Sequence, residues 1–179
     1  MHALSNGLVG AAALTAVHQA ARRYVPDAPR MDVVGMRAFA RLFRLAGVDP
    51  PGGERLYALT MAGDLLSNGI YYSAVGSSGS KAVWPRAVAL GLAAGVGAVV
   101  LPEPLGLGKP PHIERPRTRL LTVALYLTGA LVAAAAASRG RPEKPPHIRR
   151  ATGALAARYS PDQPPGKVRG PRGGSPKAR

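Results

Sequence analysis

The chain has 179 residues, with 24 Lys and Arg against 9 Asp and Glu, a formal net charge of +15 and no cysteine. The lack of cysteine excludes a disulfide framework, a thiol nucleophile and a cysteine metal site. The positive charge suits anionic lipid headgroups or nucleic acid, and composition alone does not choose between them.

The apolar residues are segregated, although the mean hydropathy of the whole chain is only +0.01. They form four blocks with hardly any internal charge, and nearly all Lys and Arg fall between or after these blocks. This pattern predicts an all-α membrane protein, a four-helix transmembrane bundle that occupies residues 1–138. Attachment to a bilayer favours anionic lipid as the partner over nucleic acid. The predicted helices cover about residues 3–21, 56–76, 85–101 and 120–138.

The first block is followed, not preceded, by its basic residues, Arg22 and Arg23. A cleaved signal peptide needs the opposite order, so an uncleaved anchor with its N-terminus outside is favoured. Small residues recur every fourth position at Gly7, Ala11 and Thr15, which permits close helix packing or reflects an Ala-rich composition. His18 is predicted to lie near the cytoplasmic boundary. Two roles are open for it: it carries a proton, or it forms a hydrogen bond to headgroups or to a neighbouring helix.

Residues 24–34 contain two prolines and are predicted to form a turn. The next segment, residues 36–46, has an arginine face opposite an apolar face and is too short to cross a bilayer. It is therefore predicted to lie in the membrane interface, with a soluble amphipathic helix packed on a loop as the alternative. The arginines expected to contact lipid headgroups are Arg22, Arg23, Arg37, Arg41 and Arg44.

The second block carries a polar stripe in an otherwise apolar segment. Asp64, Ser67, Asn68 and Tyr71 are spaced by three and four residues, so they share one face of a helix. An aspartate at the centre of a membrane helix costs roughly 2.5 to 3.5 kcal/mol on insertion scales, so it normally faces the protein interior.

Two interpretations of this stripe remain open. In the functional one, Asp64 takes up a proton or binds a cation, Ser67 and Asn68 are neutral ligands, and Tyr71 or Tyr72 gates access. In the structural one, a protonated Asp64 and Asn68 tie the helix to polar groups on neighbouring helices. The candidate groups for that role are Asn6, Thr15, Thr122 and Thr128.

The pattern AGD, then N, then YYS follows an APRMD segment, and in this it resembles small uncharacterised bacterial multi-pass inner-membrane proteins. The resemblance covers roughly the first 75 residues. It implies a bacterial inner-membrane location and no particular activity. The matching residues are Ala28, Pro29, Arg30, Met31, Asp32, Ala62, Gly63, Asp64, Asn68, Tyr71, Tyr72 and Ser73.

The third block follows Trp84, a predicted interfacial anchor, and repeats small residues at Ala87, Gly91 and Gly95. That face is suited to helix packing, including a homo-oligomer. After the fourth block, residues 139–179 are rich in Pro, Gly, Lys and Arg and are predicted to be disordered. The motif KPPHI occurs on both sides of the fourth block. It is either a duplicated segment next to the membrane or a chance result of the similar composition of two Pro-rich basic linkers.

Charge counts give conflicting orientations. Seven Lys and Arg follow the first helix and four follow the third, which places both connectors in the cytoplasm. Four crossings then place the tail outside, yet it carries 11 basic residues. We follow the counts in the two connectors and predict that the N-terminus lies outside. The side of the membrane on which the tail lies stays open.

No motif indicates an enzyme. The four histidines are not at metal-ligand spacing, no Ser/His/Asp pattern is present, and GLGLGK lacks the spacing of a phosphate-binding loop. No cofactor or metal is therefore predicted. The leading prediction is a non-enzymatic integral membrane protein that organises helices, partners or anionic lipid. The alternatives are a small proton- or cation-coupled transporter or channel subunit using Asp64, and a cytoplasmic tail that binds nucleic acid.

Overall fold

The computed structural model describes residues 2–77 and 82–139. Within these ranges the chain is helical and contains no strand. All of the described helices belong to one unit, Met1–Arg141. The predicted disordered tail and the second KPPHI motif lie outside the described residues. The helices are α1 His2–Tyr24, α2 Met31–Leu45, α3 Gly53–Ser73, α4 Val83–Val100 and α5 Pro116–Arg139, with a 3-10 turn at Ala74–Gly76.

Four long helices were predicted and are present, but several ends differ from the prediction. The turn after α1 is shorter than predicted, because α2 begins at Met31 and not at residue 36. Asp32 lies in the first turn of α2, where its negative charge is stabilised by the positive end of the helix dipole. Similarly, α5 begins at Pro116, since a proline at the first helical position loses no internal hydrogen bond. α1 extends beyond its apolar block to include both following arginines.

Two of the helices, α4 and α5, are long and apolar enough to cross a membrane. Only 22% of the apolar window of α4 and 39% of that of α5 is buried inside the protein, whereas a core helix of a soluble protein is mostly buried. α1 and α3 do not meet the same test of apolarity. Both include charged residues near their ends, and α3 also contains Asp64, Asn68 and three tyrosines.

The long helices pack through small residues. α5 lies between α4 and α1, α1 lies between α5 and α3, and α2 packs on α3. A Cβ atom added at Gly95 of α4 would lie 2.6 Å from Val123 Cα of α5, so the two backbones are in near contact. Of the fifteen buried apolar residues in the described part, eight are alanines, which keeps the other helices similarly close.

The connector after α1 and the connector after α4 meet at the same end of the molecule. Thr118 Oγ1 donates to the backbone oxygen of Asp27 at 3.0 Å, and Asp27 also pairs with Arg115. We call this the basic end: it comprises residues 25–30 and 101–115, α2, the start of α3 and the adjoining ends of α1, α4 and α5. Eleven of the described Lys and Arg lie there, whereas Arg86 and Arg139 lie toward the opposite end. The predicted common side of these two connectors therefore agrees with the fold.

Candidate functional site

A small chamber lies between four helices next to Asp64. It has a volume of about 30 Å³ and receives side chains from α1, α2, α3 and α5. A space of this size holds about one water molecule. We call it the central chamber, and its polar lining residues are His18, Asp32, Thr60, Asp64 and Tyr126.

Asp64 lines this chamber, and its carboxyl group has one neutral partner. Asn68 Nδ2 donates to Asp64 Oδ1 at 2.8 Å, within the same helix. No ion pair with Asp64 forms among residues 2–77 and 82–139. Ser67, by contrast, is exposed, and its hydroxyl donates to the backbone oxygen of Asp64 at 3.2 Å. The polar stripe thus brings Asp64 and Asn68 together and leaves Ser67 outside the chamber.

His18 reaches the same chamber from α1. Its Nε2 atom lies 2.7 Å from the backbone oxygen of Pro29, in the connector that follows α1. A carbonyl oxygen only accepts hydrogen bonds, so Nε2 carries a hydrogen and is the donor. This bond fixes the imidazole between α1 and the connector, with the ring beside the space that Asp64 also lines.

A buried ionic cluster forms the wall of the chamber on the side of α2. Asp32 is only 5% exposed and accepts from Arg30 at two points, Nε to Oδ1 at 3.1 Å and Nη2 to Oδ2 at 3.2 Å. Arg22 Nη1 lies 3.2 Å from the same carboxylate, at Oδ2. The hydrogen bonds to Asp32 raise the pKa of Arg30 above its ordinary value, because the carboxylate stabilises the charged guanidinium.

Two tyrosines of the predicted gate connect helices instead of lining the chamber. The hydroxyl of Tyr71 donates to the backbone oxygen of Leu90 in α4 at 3.0 Å. The hydroxyl of Tyr72 donates to the backbone oxygen of Tyr126 in α5 at 2.8 Å, and Tyr72 is fully buried. These bonds attach α3 to both of its distant neighbours. The tyrosine that does line the chamber is Tyr126.

The arginines predicted to contact lipid headgroups divide into two groups. Arg37 Nη1 donates to the backbone oxygens of Leu107 and Lys109 at 3.1 and 3.0 Å, and Arg41 donates to that of Leu105. With Arg22 in the ionic cluster, these three are held by protein groups. The side chains of Arg23 and Arg44 are exposed and make no ion pair or hydrogen bond with the described part of the chain.

The small-residue face of α4 is occupied within the chain. Ala87 is fully buried, and Gly91 and Gly95 pack against α5. The surface considered for a homo-oligomer is therefore covered by α5 in the monomer. Trp84, at the start of the same helix, is half exposed, and its role as an interfacial anchor stays a prediction.

Charge pairing also organises the α4 to α5 connector. Lys109 Nζ donates to Glu114 Oε1 at 2.8 Å, and this contact lowers the pKa of Glu114 and raises that of Lys109. In the described residues no three His, Asp or Glu side chains converge in a way that could hold a metal ion.

Searches against protein families, curated proteins and solved structures found no match to this chain. What the site can do is therefore inferred from its own geometry.

Proposed function

We propose that the chain is a multi-pass integral membrane protein in which α1, α3, α4 and α5 all cross the bilayer and α2 lies at the cytoplasmic interface. The observation that supports this best is that the buried apolar residues are mostly small and many large ones are exposed, the reverse of a water-soluble protein. Among the described residues, alanines dominate the buried apolar set, while twenty large apolar residues are exposed. A water-soluble fold places its large apolar residues inside and rarely leaves extended apolar surface exposed.

The exposed apolar residues occur on the two less apolar helices as well. On α1, Leu4 and Val9 are 47% and 49% exposed, and on α3, Leu66 and Ile70 are 56% and 57% exposed. At about 1.5 Å per residue, the 23 residues of α1 and the 21 of α3 are each long enough for a hydrocarbon core of about 30 Å. Polar groups such as Asp64 are turned toward neighbouring helices, so lipid meets mainly apolar side chains.

Cysteine labelling tests this proposal directly, because the natural chain has no cysteine. Leu66→Cys places a thiol on the exposed middle of α3, and Leu45→Cys places one at the 75% exposed end of α2 as the control. In native membranes a water-soluble maleimide should label Leu45→Cys and spare Leu66→Cys until the protein is denatured. Equal labelling of both variants would contradict a membrane-crossing α3. Val9→Cys applies the same test to α1.

The same reagents address orientation. Eleven of the described basic residues lie at the basic end, and the excess of Lys and Arg marks the cytoplasmic side. An impermeant maleimide should therefore label Leu45→Cys in inside-out vesicles and Ser77→Cys in intact cells. The reversed pattern would place the basic end outside.

Within this membrane protein we assign a non-enzymatic role to the basic end, namely contact with anionic headgroups. The exposed, unpaired Arg23 and Arg44 support this role, since each basic residue near an anionic surface contributes about 1 kcal/mol. An integral protein floats with vesicles whatever headgroups it contacts, so the quantity to measure is the anionic lipid that stays bound during purification. Purified protein should carry more anionic lipid than the Arg23→Gln, Arg44→Gln double variant, and equal lipid content would contradict the assignment.

A second candidate function is proton-coupled transport through the central chamber. It is supported by the carboxylate of Asp64 and the imidazole of His18 on one water-sized space, beside the Arg22, Asp32 and Arg30 cluster. A proton fits this site better than a metal cation, because the chamber has few oxygen ligands and an arginine pair nearby.

Asp64→Asn tests the second candidate. Reconstituted in liposomes with a pH-sensitive dye, this variant should lose proton uptake while it still accumulates in the membrane. Ser67→Ala, on the exposed side of the same helix, is the matched control and should behave as the natural chain does. A variant that fails to accumulate would favour the structural role of Asp64.

A further inference from the structure

A wide cleft opens at the basic end, where α1 finishes. Its volume is about 1060 Å³, and its wall is formed by the last turns of α1, the following connector and one residue from the α4 to α5 connector. We call it the arginine cleft. The polar side chains that matter here are Arg22, Arg23, Tyr24, Asp27, Arg30 and His112.

The cleft has an excess of positive charge after all pairing is counted. Three arginines line it, and Arg115 adjoins it through Asp27. Against these four cations stand two carboxylates, Asp27 in the wall and Asp32 behind it. Arg23 is exposed and has no acidic partner in the described part of the chain.

The two paired arginines that line the cleft, Arg22 and Arg30, keep unused donors. Nη1 of Arg22 forms the ion pair with Asp32 and donates to Gln19 Oε1, while Nε and Nη2 of Arg30 donate to Asp32. Within the described residues the remaining guanidinium nitrogens of both arginines have no protein acceptor. The side chains are 23% and 43% exposed, so solvent or a ligand reaches them. Asp32 thus holds two arginines in fixed positions without using all of their N–H groups.

The far wall of the cleft is held by two residues in an unusual backbone conformation. Asp27 has φ of 57° and His112 has φ of 61°, the two positive values among non-glycine residues in the described ranges. They belong to different connectors, and His112 Nδ1 lies 3.6 Å from Asp27 Oδ1. Such conformations persist only where the surroundings determine them, and they concentrate at ligand sites. This contact brings His112 to the cleft from the α4 to α5 connector.

These features suit one class of ligand. Guanidinium groups match the oxygens of a phosphate with paired hydrogen bonds, and charge assistance makes such bonds strong. The cleft is far larger than an inorganic phosphate ion, so it accommodates a phosphate attached to a larger group. Tyr24, 78% exposed at the rim, offers an apolar ring and a hydroxyl of the kind found at membrane interfaces.

We propose that the arginine cleft binds a phosphate group carried either by a lipid headgroup or by a soluble phosphate ester. The cleft itself is independent of the membrane proposal, whereas the lipid source depends on it. Arg23 is the residue to change, because it lines the cleft and takes no part in the Asp32 cluster. Arg44 is the matched control, since it is exposed and unpaired but lies outside the cleft.

The first arm of the test uses inorganic phosphate and glycerol 3-phosphate, titrated into the purified full chain in neutral detergent and followed by calorimetry. The second arm uses nanodiscs of phosphatidylcholine alone or mixed with phosphatidic acid. Loss of one charge-assisted contact should weaken binding about tenfold in Arg23→Gln. Arg44→Gln should change the affinity for the soluble phosphates less than about twofold, and in the lipid arm it should lose only the roughly fivefold that about 1 kcal/mol of surface attraction supplies.

Saturable binding in the first arm with this difference between the variants supports a soluble ester. The same difference in the lipid arm alone supports a headgroup. Equal loss in both variants indicates diffuse charge and overturns the proposal, as does the lack of saturable binding in both arms. If the labelling experiments show that α1 and α3 do not cross the membrane, the titration with soluble phosphates still decides whether the cleft is a phosphate site.

Discussion

Removing the charge of Asp32 should destabilise the fold more than removing that of Asp27, the other paired aspartate at the basic end. Asp32→Asn keeps the size of the side chain but leaves Arg22 and Arg30 without their shared carboxylate. Removing one partner of a fully buried ion pair costs about 3 to 5 kcal/mol, whereas an exposed pair contributes about 0 to 1 kcal/mol. Asp32 is 5% exposed, but its partners are 23% and 43% exposed, so the site falls between these limits. We expect a loss of about 2 kcal/mol.

The assay is reversible unfolding in mixed micelles, in which sodium dodecyl sulfate is titrated and helicity is followed by circular dichroism. Asp27→Asn is the control, because Asp27 also pairs with basic residues but is 32% exposed. It should lose about 0.5 kcal/mol. A loss in Asp32→Asn no greater than that of Asp27→Asn would refute the view that burial makes this cluster strong.

Three further predictions use the same unfolding assay. Tyr72→Phe removes one hydrogen bond to α5 and should cost about 0.6 kcal/mol, whereas Tyr72→Ala also leaves a large cavity and should cost about 3 to 5 kcal/mol; similar losses would contradict the packing role of the ring. Gly95→Ala forces a Cβ against the α5 backbone and should cost about 1 to 3 kcal/mol, while Gly97→Ala meets only the movable tip of a leucine and should stay within about 0.5 kcal/mol. The lowered pKa of Glu114 means that its contribution to stability is present above the unfolded pKa and is lost as the pH falls through the lower folded value. Glu114→Gln should therefore flatten the acid side of the stability profile, and an unchanged profile would show that the Lys109 contact contributes nothing.

Much of the helical arrangement could be predicted from local patterns. Apolar blocks of membrane length give the four long helices, and the spacing of Asp64 and Asn68 gives their common face. The helix ends were harder, since α2 and α5 begin where a proline or an acidic residue favours a first turn within a polar segment. Periodicity in the apolar residues carries no information about such ends.

The residues of the central chamber could be predicted only in part, because helix periodicity places residues around one axis and does not align different helices. Asp64 was identified because a charge is conspicuous in an apolar block. Asp32 was absent from the candidate site, since a carboxylate in a polar loop segment is ordinary until an arginine from α1 is placed beside it. Tyr126 was missed for the opposite reason, as one aromatic in an apolar helix carries no signal.

The arginines show the same difficulty in another form. A face of Arg37, Arg41 and Arg44 is typical of an interfacial helix, and sequence cannot distinguish lipid phosphates from backbone oxygens as their acceptors. In the fold, a connector with several prolines presents free carbonyl groups to Arg37 and Arg41. Only contacts between residues about 70 positions apart reveal that these side chains hold a loop in place.

The Asp32 cluster connects the arginine cleft with the central chamber, and this gives one further test. Arg22 and Arg30 line the cleft, whereas the carboxylate that holds them lines the chamber. In Asp32→Asn the two arginines lose their counter-ion, and a phosphate in the cleft can take its place. Phosphate should therefore raise the unfolding temperature of Asp32→Asn more than that of the natural chain, relative to chloride at equal ionic strength. An equal rise in both proteins would mean that the anion does not reach these arginines, and it would separate the cleft from the cluster.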